Sequence, residues 1–483
     1  QLQGKVVITG RVNYFKDVEE QRELIEEAYR AKGKDIYREA TREPGHEVAY
    51  LKYFDEPKIR AYLGHARAAT AEDDWRKIVQ IYDLRGLAQL PLLLTMISDS
   101  LDKFAEGEKV DAAKLYEKYT DDWLSRDLDK GRVILRRQQK LNLMYELAWR
   151  LWNDPDRPMR YRELSAFVEE MGKAGVVEMS GKEIEQMAGA IHLRSFLKRE
   201  GENAFSFIHR SFMEYFLARR LFNGLTAEPA EIGLLDTRRF NHRVVHFLAS
   251  IQAGEDAEDR ITPVLQSILT DAYRPRISEN ALTILYWSAR VCCGMDTEIA
   301  EDGESLDRLR AELAKRLPGG IQMAGADLSG MELLHAPLVA ADFTAADLTK
   351  AKFDHADLTE AKLTDAVLVE ASFNNITAAW ADFSQTKLGL ASFASANLTS
   401  ADFTAAEGFL PESFANADVT AARGLTAINA EINFKKVVPV AQKFALGDAY
   451  AGLPVCFSPD SDLIAVGSGG GSIFIFRAPD GVL

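Results

Sequence analysis

Between Leu328 and Phe403 every fifth residue is large and apolar: of the sixteen positions reached in steps of five, fifteen are Leu or Phe and Ala378 alone departs. Two residues before each, thirteen of the sixteen are Ala, the exceptions being Met331, Ile376 and Thr386. An α-helix cannot carry this pattern, because its faces recur every 3.6 residues. A chain that runs extended for a few residues and then turns can. Alternate residues of a strand share a face, so the large residue stacks along an inner axis while the small one fits near the corner. Asp, Thr, Ser and Lys fill the remaining positions and are expected to face water. With four sides per coil, sixteen repeats make four coils, roughly 19 Å tall at the ~4.8 Å spacing of strands. The period slips by one between Glu407 and Glu412, where Phe409, Phe414 and Val419 continue in a shifted register. That slip predicts an inserted residue which bulges or ends the regular coil.

The coil takes up about 100 of 483 residues, so other domains flank it. Apolar residues are 47%, charged 27% and aromatic 10%, which excludes a mostly disordered or fibrous chain. Basic residues number 58 against 73 acidic, a net −15 that disfavours a general nucleic-acid or anionic-membrane binder. Three cysteines, Cys292, Cys293 and Cys456, are too few for a disulfide frame or a zinc site and fit a reducing cytoplasm. The longest apolar run, residues 87–97, is broken by Gln89 and Pro91 and falls short of the roughly 20 residues that span a bilayer. The chain opens at Gln1 and enters a strand at once, which reads as a piece of something longer.

Residues 6–9 read as a β-branched strand, 18–32 as a helix and 48–54 as a further strand, the tail of an α/β domain. Residues 58–127 read as helical, with Pro91 opening one helix. In 132–152, Leu141, Tyr145, Ala148 and Leu151 form one apolar stripe. After the turn cluster 154–158 come two short helices and a strand at 204–208, a winged-helix order. Residues 225–317 carry amphipathic helices, among them 241–253 and 277–291, and place Cys292 and Cys293 as buried apolar residues. Beyond the coil, 454–460, 463–468 and 472–476 read as three short strands separated by turns.

The sequence shows no Gly-x-x-x-x-Gly-Lys-(Ser/Thr), His-Glu-x-x-His or Gly-x-Ser-x-Gly. The glycines at 467–471 and Gly319-Gly320 read as a hairpin and a domain junction, and 132–140 as a solvated helix face. One segment has chemical content: 205–216, Phe-Ser-Phe-Ile-His-Arg-Ser-Phe-Met-Glu-Tyr-Phe. Ser211 and Glu214 form a Ser-x-x-Glu capping box that starts a helix there. His209 then lies just before a helix N-terminus, where free N–H groups favour an anion. Two readings stay open: His209 satisfies a turn carbonyl, or it contacts an anionic ligand. A DNA-reading role for the winged helix is disfavoured by the lack of a basic stripe.

The period-five residues resemble the pentapeptide-repeat family, which implies a right-handed quadrilateral β-solenoid. The three C-terminal strands resemble one blade of a WD-repeat propeller, with Phe476-Arg477 where that family has Trp-Asp. Phe-x-His-x-Ser-Phe-x-Glu-Tyr-Phe followed by Leu217-Ala-Arg219 resembles the winged-helix motif of NACHT-type STAND proteins, ATPases related to NOD-like receptors. Val6-Val-Ile-Thr-Gly-Arg11 is similar to that family's sensor strand, and Leu90-Pro-Leu-Leu-Leu94 and Leu115-Tyr-Glu-Lys-Tyr119 to its helical motifs. The resemblance implies ATP/ADP with Mg²⁺ as cofactors of the intact protein. Arg11 would sense the γ-phosphate, Pro91 pack on the adenine and His209 contact the β-phosphate of ADP. The phosphate loop and the acidic metal strand that precede the sensor strand in that family are not in this sequence, so the chain itself is expected to be inactive and to bind nucleotide weakly at best.

The resulting expectation is a multidomain chain. Residues 1–60 are an α/β NTPase remnant, 61–130 a helical domain, 131–224 a winged-helix domain and 225–318 a helical connector. Residues 319–425 are the pentapeptide β-solenoid and 426–483 a partial propeller blade. Function follows as a fragment of a cytoplasmic ATP/ADP switch. Its C-terminal repeats sense a protein ligand, and the intact protein forms homo-oligomers on activation. Neither nucleic acid nor membrane is a partner. The alternative is a non-enzymatic repeat adaptor, or an acidic DNA mimic, since 321–425 carries 5 basic against 14 acidic residues.

Overall fold

The computed structural model describes residues 54–80, 88, 94–95, 97–98, 112–128, 137–155, 159–176, 196–200, 204–255, 258–295, 299, 302–408, 410–425, 455–457, 463–467 and 473–477. The strand read at 6–9, the helix at 18–32 and all of the strand at 48–54 except Phe54 lie outside these residues. Two compact units are present, one of residues 1–231 with 240–259, the other of 232–239 with 260–483. Among the described residues no helix is long and apolar enough to cross a membrane.

In the first unit, α1 (Glu56–Ala66) starts on Asp55, whose carboxylate accepts from the Lys58 N–H at 3.1 Å. Arg67 joins it to α2 (Ala71–Gln80) through the buried Asp74 at 2.6 Å. Then come α3 (Ala112–Leu128), α4 (Arg137–Asn153), β1 (Met159–Arg160), α5 (Tyr161–Lys173), β2 (Leu197–Glu200), β3 (Ala204–Phe207), α6 (Arg210–Leu225) and α7 (His242–Glu255). The strand read at 204–208 is β3, the middle of a three-stranded antiparallel sheet ordered β1-β3-β2. Its partner β2, Leu-Lys-Arg-Glu, shows no apolar alternation and was not legible in the sequence.

α6 is the centre of this unit, with twelve of its sixteen residues buried. An aromatic cluster forms around it. The Tyr116 ring of α3 lies 5.1 Å from Phe212 and 4.8 Å from Phe247 of α7, and Tyr145 of α4 lies 6.0 Å from Phe216. The α4 stripe faces this core: Leu141, Tyr145 and Ala148 are buried and Leu151 is half-buried.

The second unit opens with a 3₁₀ turn, Ile232–Leu235, and continues as α8 (Ile261–Thr270), α9 (Ile277–Cys292) and α10 (Gly303–Arg316). α9 is packed between its neighbours. Its buried Asn280 donates from Nδ2 to the carbonyls of Leu235 at 2.9 Å and Thr237 at 3.0 Å. Cys293 is buried as expected, and burial pushes its thiol pKa up. Cys292 is exposed instead, because it ends the helix on its outer side, and Arg316 donates to its sulfur at 3.3 Å.

The coil follows the sequence closely. Parallel bridges join residues twenty apart, from Gln322↔Asp342 to Lys387↔Glu407, so four pentapeptides make one turn. Every inward position from Leu328 to Phe403 is buried. In 376–380 the large and small inward residues are exchanged: Ile376 fills the volume that Ala378 leaves, and both are buried. Phe353, Phe373, Phe393 and Phe414 stack with centroids 5.0, 5.0 and 5.1 Å apart. Beyond Glu407 the bridges join residues twenty-one apart, Asn397↔Asp418 and Asp402↔Arg423, which places the inserted residue there. A 3₁₀ turn, Pro411–Phe414, absorbs it and the coil goes on.

The corners hold what the period did not show. At most corners the residue that follows closes a turn, as where Ala336 N–H donates to the Leu333 carbonyl at 3.2 Å. The residue before it is left-handed, with φ from +55° to +65° at every fifth residue from His335 to Ala405. These are type II turns, yet His, Lys, Glu, Trp and Leu stand where Gly or Asn is preferred. The outward Asp residues are not merely solvated, as the sequence reading had them. Asp357 Oδ1 accepts from Thr359 N–H at 3.0 Å and its hydroxyl at 2.6 Å. Asp342, Asp347, Asp382, Asn397, Asp402 and Asp418 likewise hold the N–H two residues on. The coil ladder offers that N–H no carbonyl, so a side chain must supply the acceptor.

Past the coil, β4 (Val455–Phe457), β5 (Leu463–Gly467) and β6 (Ile473–Arg477) form an antiparallel sheet ordered β4-β5-β6.

Candidate functional site

Of the residues singled out from sequence, Arg11 and Pro91 lie outside the described residues, and His209 is described. β3 ends at Phe207, Ile208 N–H donates to the Phe196 carbonyl at 2.7 Å, and His209 is extended, with φ −146° and ψ 145°. His209 itself is the N-cap of α6. Its Nδ1 accepts from Ser211 N–H at 3.3 Å and lies 2.6 Å from Ser211 Oγ. An Nδ1 that accepts the amide carries no proton, so in the neutral ring the hydrogen sits on Nε2.

The capping box read at Ser211 and Glu214 is therefore not formed, and the helix starts one residue earlier, at Arg210. Glu214 does not reach back. It is fully buried, and its Oε1 accepts from Arg210 Nε at 3.1 Å and Asn241 Nδ2 at 2.9 Å. Asn241 in turn accepts from Val244 N–H at 3.0 Å and caps α7. The buried carboxylate thus ties the starts of two helices together. One turn on, Arg219 pairs with Glu117 at 3.1 Å and with Glu255, and Arg220 pairs with Glu146 at 2.6 Å and Glu231 at 2.8 Å. The conspicuous polar residues of 205–220 are spent on holding α3, α4 and α7 around α6.

The other candidate surface is the outside of the coil. Its first edge is closed by the helices and the 232–239 segment, which supply the missing ladder partners. The Leu269 carbonyl accepts from Gln322 N–H at 2.8 Å, and the Arg239 guanidinium donates to the carbonyls of Ser329, at 2.9 Å, and Asp327. Glu279 accepts from Asp327 N–H at 3.3 Å, and Tyr286 donates to the Leu334 carbonyl at 3.3 Å. Burial pushes the Tyr286 pKa up to about 12, so it remains a donor at any ordinary pH. Arg290 reaches Glu332 at 3.3 Å, where burial would raise the carboxyl pKa but Lys352 and Arg290 hold it below its ordinary value.

Nearby, the rings of His335 and His355 stack on successive coils, 4.8 Å apart and 8° from parallel. Around the coil, the outward residues change from turn to turn, while the inward ones keep to Leu, Phe and Ala with few exceptions. Two exposed apolar residues stand on its corners, Trp380 and Leu390. Neither was singled out in the sequence, although each interrupts a column of polar or small residues and the five-residue register would have placed it outside.

Residues 321–359, 341–377 and 379–407 match the family described as Pentapeptide repeats, in 8 copies. The chain is 25% identical over 234 residues to an uncharacterised WD repeat-containing protein, alr3466, of Nostoc sp. strain PCC 7120, an alignment covering 48% of this chain and 14% of that protein. Similar solved structures include the pentapeptide repeat protein Rfr23 of the cyanobacterium Cyanothece 51142, 22% identical, covering 19% of this chain and 58% of that one with a TM-score of 0.16. HetL of Nostoc sp. strain PCC 7120, a pentapeptide repeat protein involved in heterocyst differentiation regulation, is 27% identical, covering 21% of this chain and 44% of that one with a TM-score of 0.14. The chain therefore contains a pentapeptide-repeat solenoid behind a mainly helical region.

Proposed function

We propose that this chain is part of a non-enzymatic repeat scaffold that holds a protein partner on the outward faces of its coil. The carrying observation is the division of labour in the coil. Inward residues are spent on packing, so the faces form a rigid plate whose varying outward side chains can recognise a partner. Pentapeptide-repeat and WD-repeat proteins often mediate protein interactions. The strand sheet at the C-terminus would be the start of a propeller serving the same end. The test is site-specific photo-crosslinking of the intact protein in its own cells, with the photoreactive residue placed in turn on each face, at Thr349, Ser395, Thr359 and Thr404. A partner adduct from one face, lost when Leu348→Asp disrupts the coil, supports the reading. Absence of a protein adduct from all four overturns it.

A second reading is favoured by His209, whose place at the start of α6 suits an anion contact through Nε2. It is the STAND-class ATP/ADP switch, with residues 1–60, 61–130 and 131–224 as NTPase remnant, helical domain and winged helix. Arg11, Pro91 and His209 would face nucleotide and Mg²⁺ in the intact, oligomerising protein. His209→Asn separates this role from capping, since Asn caps a helix well and offers no imidazole. In the intact protein the nucleotide reading expects ADP retention to drop about tenfold at unchanged melting temperature. Unchanged retention removes the reading. The chain described here is expected to show no measurable ATP turnover.

A further inference from the structure

We infer that the corner bearing Trp380, with the coil face beside it, is a docking surface for a basic, arginine- or lysine-bearing segment of a protein partner. This rests on the scaffold reading and names the class of partner. Coil by coil, the same corner is occupied by Ala340, Glu360, Trp380 and Ser400, all left-handed. A bulky aromatic residue is among the least suited to that conformation, and Ala and Ser serve in the same column. Packing does not repay the strain, because Trp380 is 63% exposed. A strained side chain that the fold neither needs nor buries is explained by what it meets from outside.

The charge around it says what that is. On this corner and the face before it, made of residues 337–340, 357–360, 377–380, 397–400 and 418–421, stand Asp357, Glu360 and Asp418 and no Lys or Arg. The face that follows the corner carries Lys362 and Arg423 among Asp342, Asp365, Asp382 and Asp402, and of the remaining basic residues Lys350 reaches Glu370 at 3.6 Å and Lys352 reaches Glu332 at 3.0 Å across coils. Exposed Val339 extends the apolar part of the same face. An indole face flanked by carboxylates attracts a guanidinium or ammonium group, which stacks on the ring while its neighbours pair with the acids. The same acids repel a phosphate backbone.

The experiment uses the full chain and fluorescein-labelled nona-arginine and nona-glutamate peptides, read by anisotropy at 50 and 300 mM NaCl. Trp380→Ser, the residue that Ser400 already is in the same column, is expected to weaken nona-arginine binding at least tenfold with the melting temperature kept. Glu360→Gln is expected to weaken it about threefold and to flatten the salt dependence. Leu390→Ser, on a corner half a coil away, should change it less than twofold. Equal losses from Trp380→Ser and Leu390→Ser, no loss from Trp380→Ser, or tighter binding of nona-glutamate each overturn the proposal. If Trp380→Ser has no effect while photo-crosslinks still form on another face, this surface fails and the scaffold reading stands. Absence of crosslinks on every face removes both.

Discussion

His335 shows how one residue's chemistry is set by neighbours far away in sequence. Burial lowers its pKa, the stacked His355 lowers it further, and Arg310 and Arg290 add to the effect against the opposing Asp354, leaving it at about 4. The unfolded chain, with an ordinary imidazole, therefore binds more protons than the folded one between about pH 6.5 and 4. Stability from this group is fully present above the ordinary value, falls as pH drops through that window and levels off below about 4. His335→Asn tolerates the left-handed corner and cannot titrate, so its melting temperature should fall less than the parent's between pH 7 and 4. Parallel melting curves across that range would show that His335 is not the titrating group. His209 teaches the same lesson. A His before a helix was legible as a turn residue, but its capping through Nδ1 was not, because Glu214 is drawn inward by Arg210 and Asn241 and leaves the amide of Ser211 to the imidazole.

At the scale of the single coil, the Asp two residues before the Thr or Ser is an element of construction. Asp357→Ala should destabilise the coil by about 1 kcal/mol, since it strands one buried-edge N–H, while Asp357→Asn should be nearly neutral because the amide oxygen accepts the same bond. Thermal melts of the two variants decide between capping and mere solvation; equal losses favour the latter. The bonds have a pH signature as well. Those from Ser329 hold the Asp327 carboxyl below its ordinary pKa, and burial of Asp382 is more than offset by Ser384 and Thr364. Both groups contribute stability that is present above the ordinary carboxylate range and is lost as pH falls through their depressed values. Where the residue two before is Ser, the acceptor comes from the coil below: Asp354 takes the Asn374 N–H at 2.9 Å, and Asn374 takes the Ala394 N–H at 3.1 Å.

Across the second unit as a whole, the helices act as the end-cap that every repeat stack requires. An uncapped first coil would present a row of unpaired N–H and C=O groups, a template for wrong pairing. Arg239, Glu279, Tyr286 and the Leu269 carbonyl close it. Because each coil touches only its neighbours, damage at the cap should stay local. Arg239→Ala is expected to raise hydrogen-exchange rates of the first coil, residues 321–340, by about tenfold, with coils beyond 361 within twofold. Uniform acceleration through 321–425 would mean that the coil unfolds as one block and that the cap has no separate part in it.

The period of five determined the coil without help from the rest of the chain. Its inward residues and the slip near Glu407 follow from strand geometry and side-chain volume, which are local properties, whereas its four sides came from the family resemblance and are seen in the bridges between residues twenty apart. The helical character of the flanks was legible for the same reason, as a stripe of spacing three and four. Tertiary structure alone decided where polar groups went. The capping by Asp, the left-handed corners occupied by Lys, Trp and Leu, the buried Glu214 and the arginine that closes the coil's first edge depend on which backbone groups the fold leaves without partners. That inventory exists only once the coils and helices are assembled, so it leaves no periodic trace in the sequence.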